Sequence, residues 1–347
     1  MMQTTECFAE TTALRLKPEL LDDALEDLRI SGSVLLNETY AGSWAIDIPG
    51  EAQLRELLRL DADTRVLMFH FVRRGSFDIR MMGGDTMVVE AAEVAICPAG
   101  LAHTMSRGKS AKALPIDAVL RGDRPRALAG GAGESTELVC GVFLARAAPL
   151  NPMLGALPPV LKVATGEAAF SPMLAGVAWM LAHEVDRGAL GSFASARLLE
   201  LFCAEAIRAY QRTEGAQHVG WFRGLADARV SEAMRRVHES PSADWTVEAL
   251  ARAVALSPSR FAARFREMTG QSVMNYVARW RANVACRLLR DTELNLTEIA
   301  GRVGYESLPA FSRAFKAQLG EPPAAWRSAR VKGRGHGAVS RFAAKPA

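Results

Sequence analysis

The 347 residues carry 42 Lys and Arg against 38 Asp and Glu, with 49% hydrophobic residues and a mean hydropathy of +0.04. That length suggests two domains with ordinary cores. No apolar run reaches the roughly 18 residues of a membrane helix and no basic-then-apolar leader opens the chain, so a soluble, cytoplasmic protein without membrane contact is expected. The five cysteines (Cys7, Cys97, Cys140, Cys203, Cys286) are scattered, odd in number and free of any CxxC pair, which fits a reducing compartment. Charge is unevenly placed. His218–Ala347 holds 21 basic against 11 acidic residues, a net of +10, which leaves −6 on Met1–Gln217. A basic C-terminal part joined to a mildly acidic N-terminal part is the electrostatic footprint of a nucleic-acid-binding module fused to something else.

Along the chain, residues 1–17 show no period and are expected to be loose. Leu20–Leu28 (LLDDALEDL) reads as a short amphipathic helix. From Ser33 the pattern turns to strands: VLLNETY, WAIDIP, RVLMFHFV (Arg65–Val72), SFDIRMM, TMVVEA, EVAICP and STELVCGVFLA (Ser135–Ala145). Many short strands separated by Gly and Pro turns predict a jelly roll or barrel. Arg121–Gly133, rich in Gly, Arg and Ala, is expected to be a mobile loop. Phe170–Arg212 returns to a helical period, with Leu174, Val177 and Leu181 on one stripe and Leu198, Leu201, Phe202 and Ile207 on another. RGALGS (Arg187–Ser192) between them reads as the turn of a helical hairpin, which either covers the barrel or packs on its copy in a second chain. Gln211–Gly220 is polar and reads as a linker, and the tail beyond Gly337 lacks core residues and should be disordered.

The remaining stretch contains one pattern written twice. LARAVALSPSRFAARFREMTG (Leu250–Gly270) and IAGRVGYESLPAFSRAFKAQLG (Ile299–Gly320) match Phe261 with Phe311, Phe265 with Phe315 and Gly270 with Gly320. Each copy has the parts of a helix-turn-helix. In the second, Leu296, Ile299 and Val303 share a face, Gly304 supplies a left-handed turn residue and Ser307 caps the next helix. In the first, Val247, Leu250 and Val254 form the face, Ser257 is an N-cap with Pro258 at the first helical position, and Phe261, Phe265 and Met268 point inward. Ala255 stands where the turn glycine would be, which suits a turn that avoids positive φ. Between the copies Ser272–Arg290 is one helical run, roughly 28 Å long at 1.5 Å per residue. It would hold the two second helices about one duplex turn apart, roughly 34 Å, for entry into successive major grooves.

GYES (Gly304–Ser307), AFSRAFK (Ala310–Lys316) and PPAAWR (Pro322–Arg327) resemble the DNA-binding domain of AraC/XylS-type transcriptional regulators. FHFVRRG (Phe69–Gly75) and CPAGLAHTMS (Cys97–Ser106) resemble the two signature segments of a cupin, and ELVCGVFL with NPMLGALPPVLKV resembles the sensory cupin of a subset of these regulators. The second segment keeps Pro98, Gly100 and His103, with Glu93 in place of the leading glycine. The first keeps His70, has Val72 at the second histidine position and lacks the downstream glutamate. The expected fold is therefore two-domain α+β. Residues 18–165 form a cupin-like β-barrel, 166–217 a helical hairpin, 218–330 an all-α domain of two helix-turn-helix units on a long helix, and 331–347 a tail.

In the first unit Ser259, Arg260, Ala263 and Arg264, with the cap Ser257, are the candidate DNA contacts. Arg260 and Arg264, four apart and opposite the phenylalanines, are expected to project together. The resemblance places the second unit's reading positions on Ser307, Leu308, Pro309, Ser312 and Arg313. Leu308 and Pro309 suit thymine methyls rather than hydrogen bonds, and Arg279, Arg281 and Lys316 are expected on phosphates. In the barrel, His70, His103 and Cys140 are the candidate ligand-binding group. No metal is expected there, with a His2Cys zinc site as the alternative to two hydrogen-bonded barrel histidines. Cys97 with Cys140 as a redox switch is the weaker option, because a buried cysteine usually acts as a small apolar residue. Triads, phosphate-cradling loops and paired-carboxylate motifs are absent from the sequence, so no enzyme is expected.

The resemblance implies a promoter-binding regulator, an activator that recruits RNA polymerase, acting as a homodimer and answering a small-molecule or redox signal through the cupin. Two rivals are a metal-dependent cupin enzyme with a DNA-binding appendage and a constitutive DNA binder whose barrel is only a scaffold.

Overall fold

The computed structural model describes residues 20–331 apart from 62, 85, 109–111, 126–134, 147–148, 167–170, 190 and 216. The expected loose N-terminus, the tail beyond Gly337 and most of the Arg121–Gly133 loop lie outside the described residues.

The chain opens with α1 (Leu20–Leu28) and runs through β1 (Ser31–Ala41), β2 (Trp44–Ile48), α2 (Glu51–Leu57), β3 (Arg65–Arg74), β4 (Ser76–Met81), β5 (Thr86–Glu90), β6 (Glu93–Cys97), β7 (His103–Arg107), β8 (Leu114–Pro115), α3 (Ile116–Leu120), β9 (Ser135–Ala145) and β10 (Leu161–Ala164). These strands make two five-stranded sheets, β1-β9-β3-β6-β10 and β5-β4-β7-β2-β8. Every pairing is antiparallel except β2 with β8. The two-residue period of β3 decides where its side chains go. Val66, Met68, His70 and Val72 face between the sheets, and Leu67, Phe69 and Phe71 face the other way into a second core. A strand apolar on both faces must be covered on both.

The cover is the hairpin of α4 (Pro172–Asp186) and α5 (Phe193–Tyr210), capped by the Ser171 and Ser192 hydroxyls. α5 lies across β1, β9 and β10. It comes so close that a Cβ on Gly32 would sit 2.6 Å from the Leu199 Cβ. Of the expected α5 stripe, Phe202 and Ile207 are buried, whereas Leu201 is exposed and Leu199 takes the inward place. Gln211–Gly220 is not a plain linker: α5 runs on into a π-helical turn, Gln211–Gly215, whose last residue packs beneath Phe222.

The rest is helical: α6 (Trp221–Ala226), α7 (Ala228–Glu239), α8 (Val247–Ala253), α9 (Pro258–Thr269), α10 (Val273–Asp291), α11 (Leu296–Arg302), α12 (Leu308–Leu319) and α13 (Pro323–Val331). Thr246, Ser257, Ser272 and Ser307 accept from backbone N–H groups as N-caps, and Asn295 with Glu298 closes a capping box. Gly270 and Gly320 end α9 and α12 at φ of 75° and 79°.

α1 joins the two halves. Asp27 accepts from Arg287 and Asn283 of α10, and Arg29 pairs with Asp291 at 3.0 Å. On the sheet side, Asp22 pairs with Arg208 of α5. Among the described residues no helix is long and apolar enough to cross a membrane.

Candidate nucleic-acid interface and barrel core

The two helix-turn-helix units close their turns in the same way. Leu256 donates to the Ala251 carbonyl at 3.0 Å in the first, and Tyr305 to the Ala300 carbonyl at 2.9 Å in the second. That bond needs a left-handed residue just before it. Gly304 supplies one at φ 78°, and Ala255 supplies the other at φ 54°, so the first turn takes an alanine at positive φ rather than avoiding that region. An arginine from a neighbouring helix ties each turn. Arg229 of α7 donates to the Val254 carbonyl. Arg281 of α10 donates to the carbonyls of Pro241 at 2.8 Å, Ala243 at 2.8 Å and Gly304 at 3.2 Å, with its guanidinium 5.5 Å above the Tyr305 ring. Arg281 is therefore a half-buried tie rather than the expected phosphate contact. All three of its guanidinium nitrogens are engaged with the backbone.

α9 buries Phe261 and Phe265 and exposes Ser259, Arg260, Ala263 and Arg264. Arg260 and Arg264 do not act as a matched pair. Arg264 donates to Asp227 at 2.8 Å, and Asp227 is the N-cap of α7, accepting from Arg229 and Val230 at 3.0 Å each. Burial opposes the Asp227 charge, but Arg264 and the two N–H groups hold its pKa below the usual range. Arg260 makes no side-chain bond or ion pair among the described residues and projects freely.

α12 buries Phe311 and Phe315 and exposes Arg313 and Lys316, neither with a partner among the described residues. Ser312 is half-buried beside them. Ser257 and Ser307 both accept the cap bond at 3.4 Å, from Arg260 and Ala310. Pro309 is exposed in the first turn of α12. Leu308 is half-buried and packs on the helical core, so it offers less of its surface to a thymine methyl than expected. Arg279 lines a cavity of about 340 Å³ between the segment from Leu150 to Ala156 and the α9–α10 junction.

Between the sheets, His103, His70 and Cys140 form a directed chain. His103 Nδ1 lies 2.9 Å from the Leu101 carbonyl, which can only accept, so Nδ1 carries the proton and Nε2 must accept. His70 Nε2, 2.9 Å away, then donates to it, which leaves His70 Nδ1 to accept from the Cys140 thiol at 3.1 Å. Every member is neutral. Burial, then the neighbouring His103, holds the His70 pKa well below its ordinary value, and burial lowers that of His103 despite its bond to Leu101. Burial also pushes the Cys97 thiol up to about 12 and raises that of Cys140, so neither is a ready thiolate for redox exchange.

The convergent donor set is His70, His103 and Cys97, with ligand atoms within 4.8 Å of one another. Cys140 sits behind His70, on its other ring nitrogen, so Cys97 replaces it in the expected His2Cys set. These donors suit zinc chemically, but two histidines on a tetrahedral ion at 2.0–2.1 Å would hold their nitrogens about 3.3 Å apart. Here they are 2.9 Å apart and bonded to each other, and the cluster includes no carboxylate. As arranged, the two imidazoles are bonded to each other, and an ion held by both would require them to part.

Comparison with known proteins agrees with this geometry. Residues 19–212 match the cupin family model, and residues 250–329 match a helix-turn-helix domain. A putative AraC-like transcription regulator of Streptomyces lividans is 30% identical over 88% of this chain and 97% of its own. The chain belongs to the AraC-like transcription regulators. It is also similar to the HTH-type transcriptional regulator AlkR of Acinetobacter baylyi, at 26% identity over 89% of this chain and 99% of that protein. A crystal structure of the DNA-binding domain of AdpA, a global transcriptional factor, in complex with a target DNA is 34% identical over 31% of this chain and 96% of that one, with a TM-score of 0.30.

In this AraC-like regulator, three roles escaped the sequence. Arg229 and Arg281 tie the turns from 25 and 23 residues away, and no local pattern marks them. Cys97 had a signal. It immediately precedes the PAGLAH segment, at the inward end of β6 opposite Met68.

Proposed function

We propose that this DNA-binding regulator reads promoter sequence with α9 and α12 in successive major grooves of one DNA face. The observation that carries this reading is the pairing of two exposed arginines, Arg260 and Arg313, neither with a partner among the described residues, on two capped helices held apart by the 19 residues of α10. Arg260 reads a base, Ser259, Ala263, Pro309 and Ser312 shape the contact, and Lys316 holds phosphate. Arg264 joins only by leaving Asp227. The cupin domain senses an effector and biases the arrangement of the DNA-binding domain through α1, where Asp27 and, just past the helix end, Arg29 grip α10. Activation proceeds by recruiting RNA polymerase.

The hairpin supports a homodimer. Met173, Trp179 and Met180 of α4 and Phe193 and Leu201 of α5 are exposed, and Trp179 and Phe193 are 70% and 82% accessible. An apolar stripe on one hairpin suits the same stripe on a second copy.

The test is binding of Arg260→Ala to a selected site and to random DNA. Loss of about tenfold or more on the selected site alone supports base reading. Equal loss on both would reduce Arg260 to a phosphate contact.

A further inference from the structure

A cavity of about 770 Å³ opens at the end of the β5-β4-β7-β2-β8 sheet, between α2 and α3. Its volume falls within the range of small-molecule sites. Ile48, Leu57, Met81 and Ile116 give it an apolar floor. Methionine suits such a floor because its thioether adapts to irregular ligands.

The rim is acidic. Asp47, Glu56 and Asp117 line it against a single guanidinium, Arg80. The register across three strands shows how these charges are dealt out. Asp47 pairs with Thr104, and Thr104 with Arg80, so Thr104 lies between the two charges. Asp47 does not ion-pair with Arg80. It accepts from the Thr104 hydroxyl at 2.6 Å through Oδ1, which leaves Oδ2 free. Glu56 has no side-chain partner among the described residues, and Asp117 is neutralised by Arg121 at 2.8 Å. The unneutralised carboxylates therefore gather on the α2 side, over apolar walls, with Arg80 at the far edge. The back of the cavity reaches His103, the first member of the directed chain through His70 to Cys140.

We propose that this cavity is the effector site and that its ligand is an organic cation with an apolar body. The ammonium sits between Asp47 and Glu56, and the body lies on the Ile48, Leu57, Met81 and Ile116 floor. The inference rests on the reading of the first domain as a sensor.

The test uses the full-length chain and three probes built on an eight-carbon chain, octyltrimethylammonium, octanoate and 1-octanol, followed by calorimetry. The cation should bind saturably at one per chain, more tightly than either of the others. Asp47→Asn with Glu56→Gln should weaken it about tenfold, as expected for two partly exposed carboxylates. Gln53→Arg, at an exposed rim position, should abolish cation binding without disturbing the fold. Octanoate or octanol binding as tightly as the cation, or cation binding indifferent to all three substitutions, would overturn the proposal. DNA binding by the same preparations is scored separately. Intact DNA binding with no cation binding removes this effector site and leaves the regulator reading standing. Cation binding that never changes DNA affinity removes the sensor role.

Discussion

In the second helix-turn-helix unit the turn residue is Gly304, and in the first it is Ala255, yet both hold a left-handed backbone and both close the same hydrogen bond. The reading helices diverge as well. α9 offers Arg260 freely while Asp227 restrains Arg264, whereas α12 offers Arg313 and Lys316 behind a half-buried Leu308. A duplicated motif thus keeps its caps, its buried phenylalanines and its turn geometry, and varies what it presents outward. Local backbone demands are common to both copies. Surface chemistry is not constrained by them.

The turns allow the sharpest contrast. A Cβ on Gly304 would lie 2.7 Å from the Arg281 guanidinium and 2.9 Å from the Ser242 carbonyl, at a φ that side chains disfavour. Gly304→Val should therefore cost about 2–4 kcal/mol of stability, read by chemical denaturation. The opposite change in the first unit, Ala255→Gly, relieves a left-handed alanine.

Acid should separate the units next. His238 stacks on Trp280 with ring centroids 3.5 Å apart, bonds to the Tyr276 hydroxyl at 2.7 Å and has its pKa lowered to about 3 by burial. Tyr276 in turn packs on Phe265 of the first unit, and the second unit contains no histidine. A histidine neutral in the fold and chargeable when unfolded gives stability that is full above about pH 6.5. That stability is lost as pH falls toward the folded value, at about 1.4 kcal/mol per unit. Amide exchange should show the first unit weakened by about 2 kcal/mol at pH 5 relative to the second. Equal protection in both would contradict the role given to His238.

The reading helices come third. Arg260→Ala should cost about 1–3 kcal/mol on the specific site. Arg264→Ala should cost less there than Arg260→Ala, because its partner in the free protein is Asp227. Measured affinities in the reverse order would mean that DNA draws Arg264 away from its cap. The smallest effect is Ala255→Gly, a gain of about 0.5–1 kcal/mol, since relief of the left-handed strain exceeds the added freedom of the unfolded chain.

What was legible in the sequence follows from range. Ser257 and Ser307 act within three residues, and Phe261, Phe265, Phe311 and Phe315 follow the helical period, so their roles could be read directly. The positive φ of Ala255 could not, because the neighbouring helices impose it against the residue's own preference. Arg281, Arg264 and Arg279 looked alike as surface cations. Only the packed structure assigns the first to three carbonyls, the second to Asp227 and the third to the cavity beside Leu150 and Ala156. Between the two sheets, His70 and Cys140 are direct cross-strand partners, which strand parity makes accessible to sequence. The approach of Cys97 to His103 depends on how the β6–β7 connection folds back, and so does the start of α2, where the Glu51 N–H donates to the Gly100 carbonyl at 2.7 Å.

The most direct test of the account is hydroxyl-radical and methylation-protection footprinting of the protein on DNA selected from its own genome. Two protected major-groove segments about one duplex turn apart on one face, the first lost in Arg260→Ala and the second in Arg313→Ala, are predicted. A single protected segment, or diffuse protection that vanishes at moderate salt whatever the sequence, would contradict it.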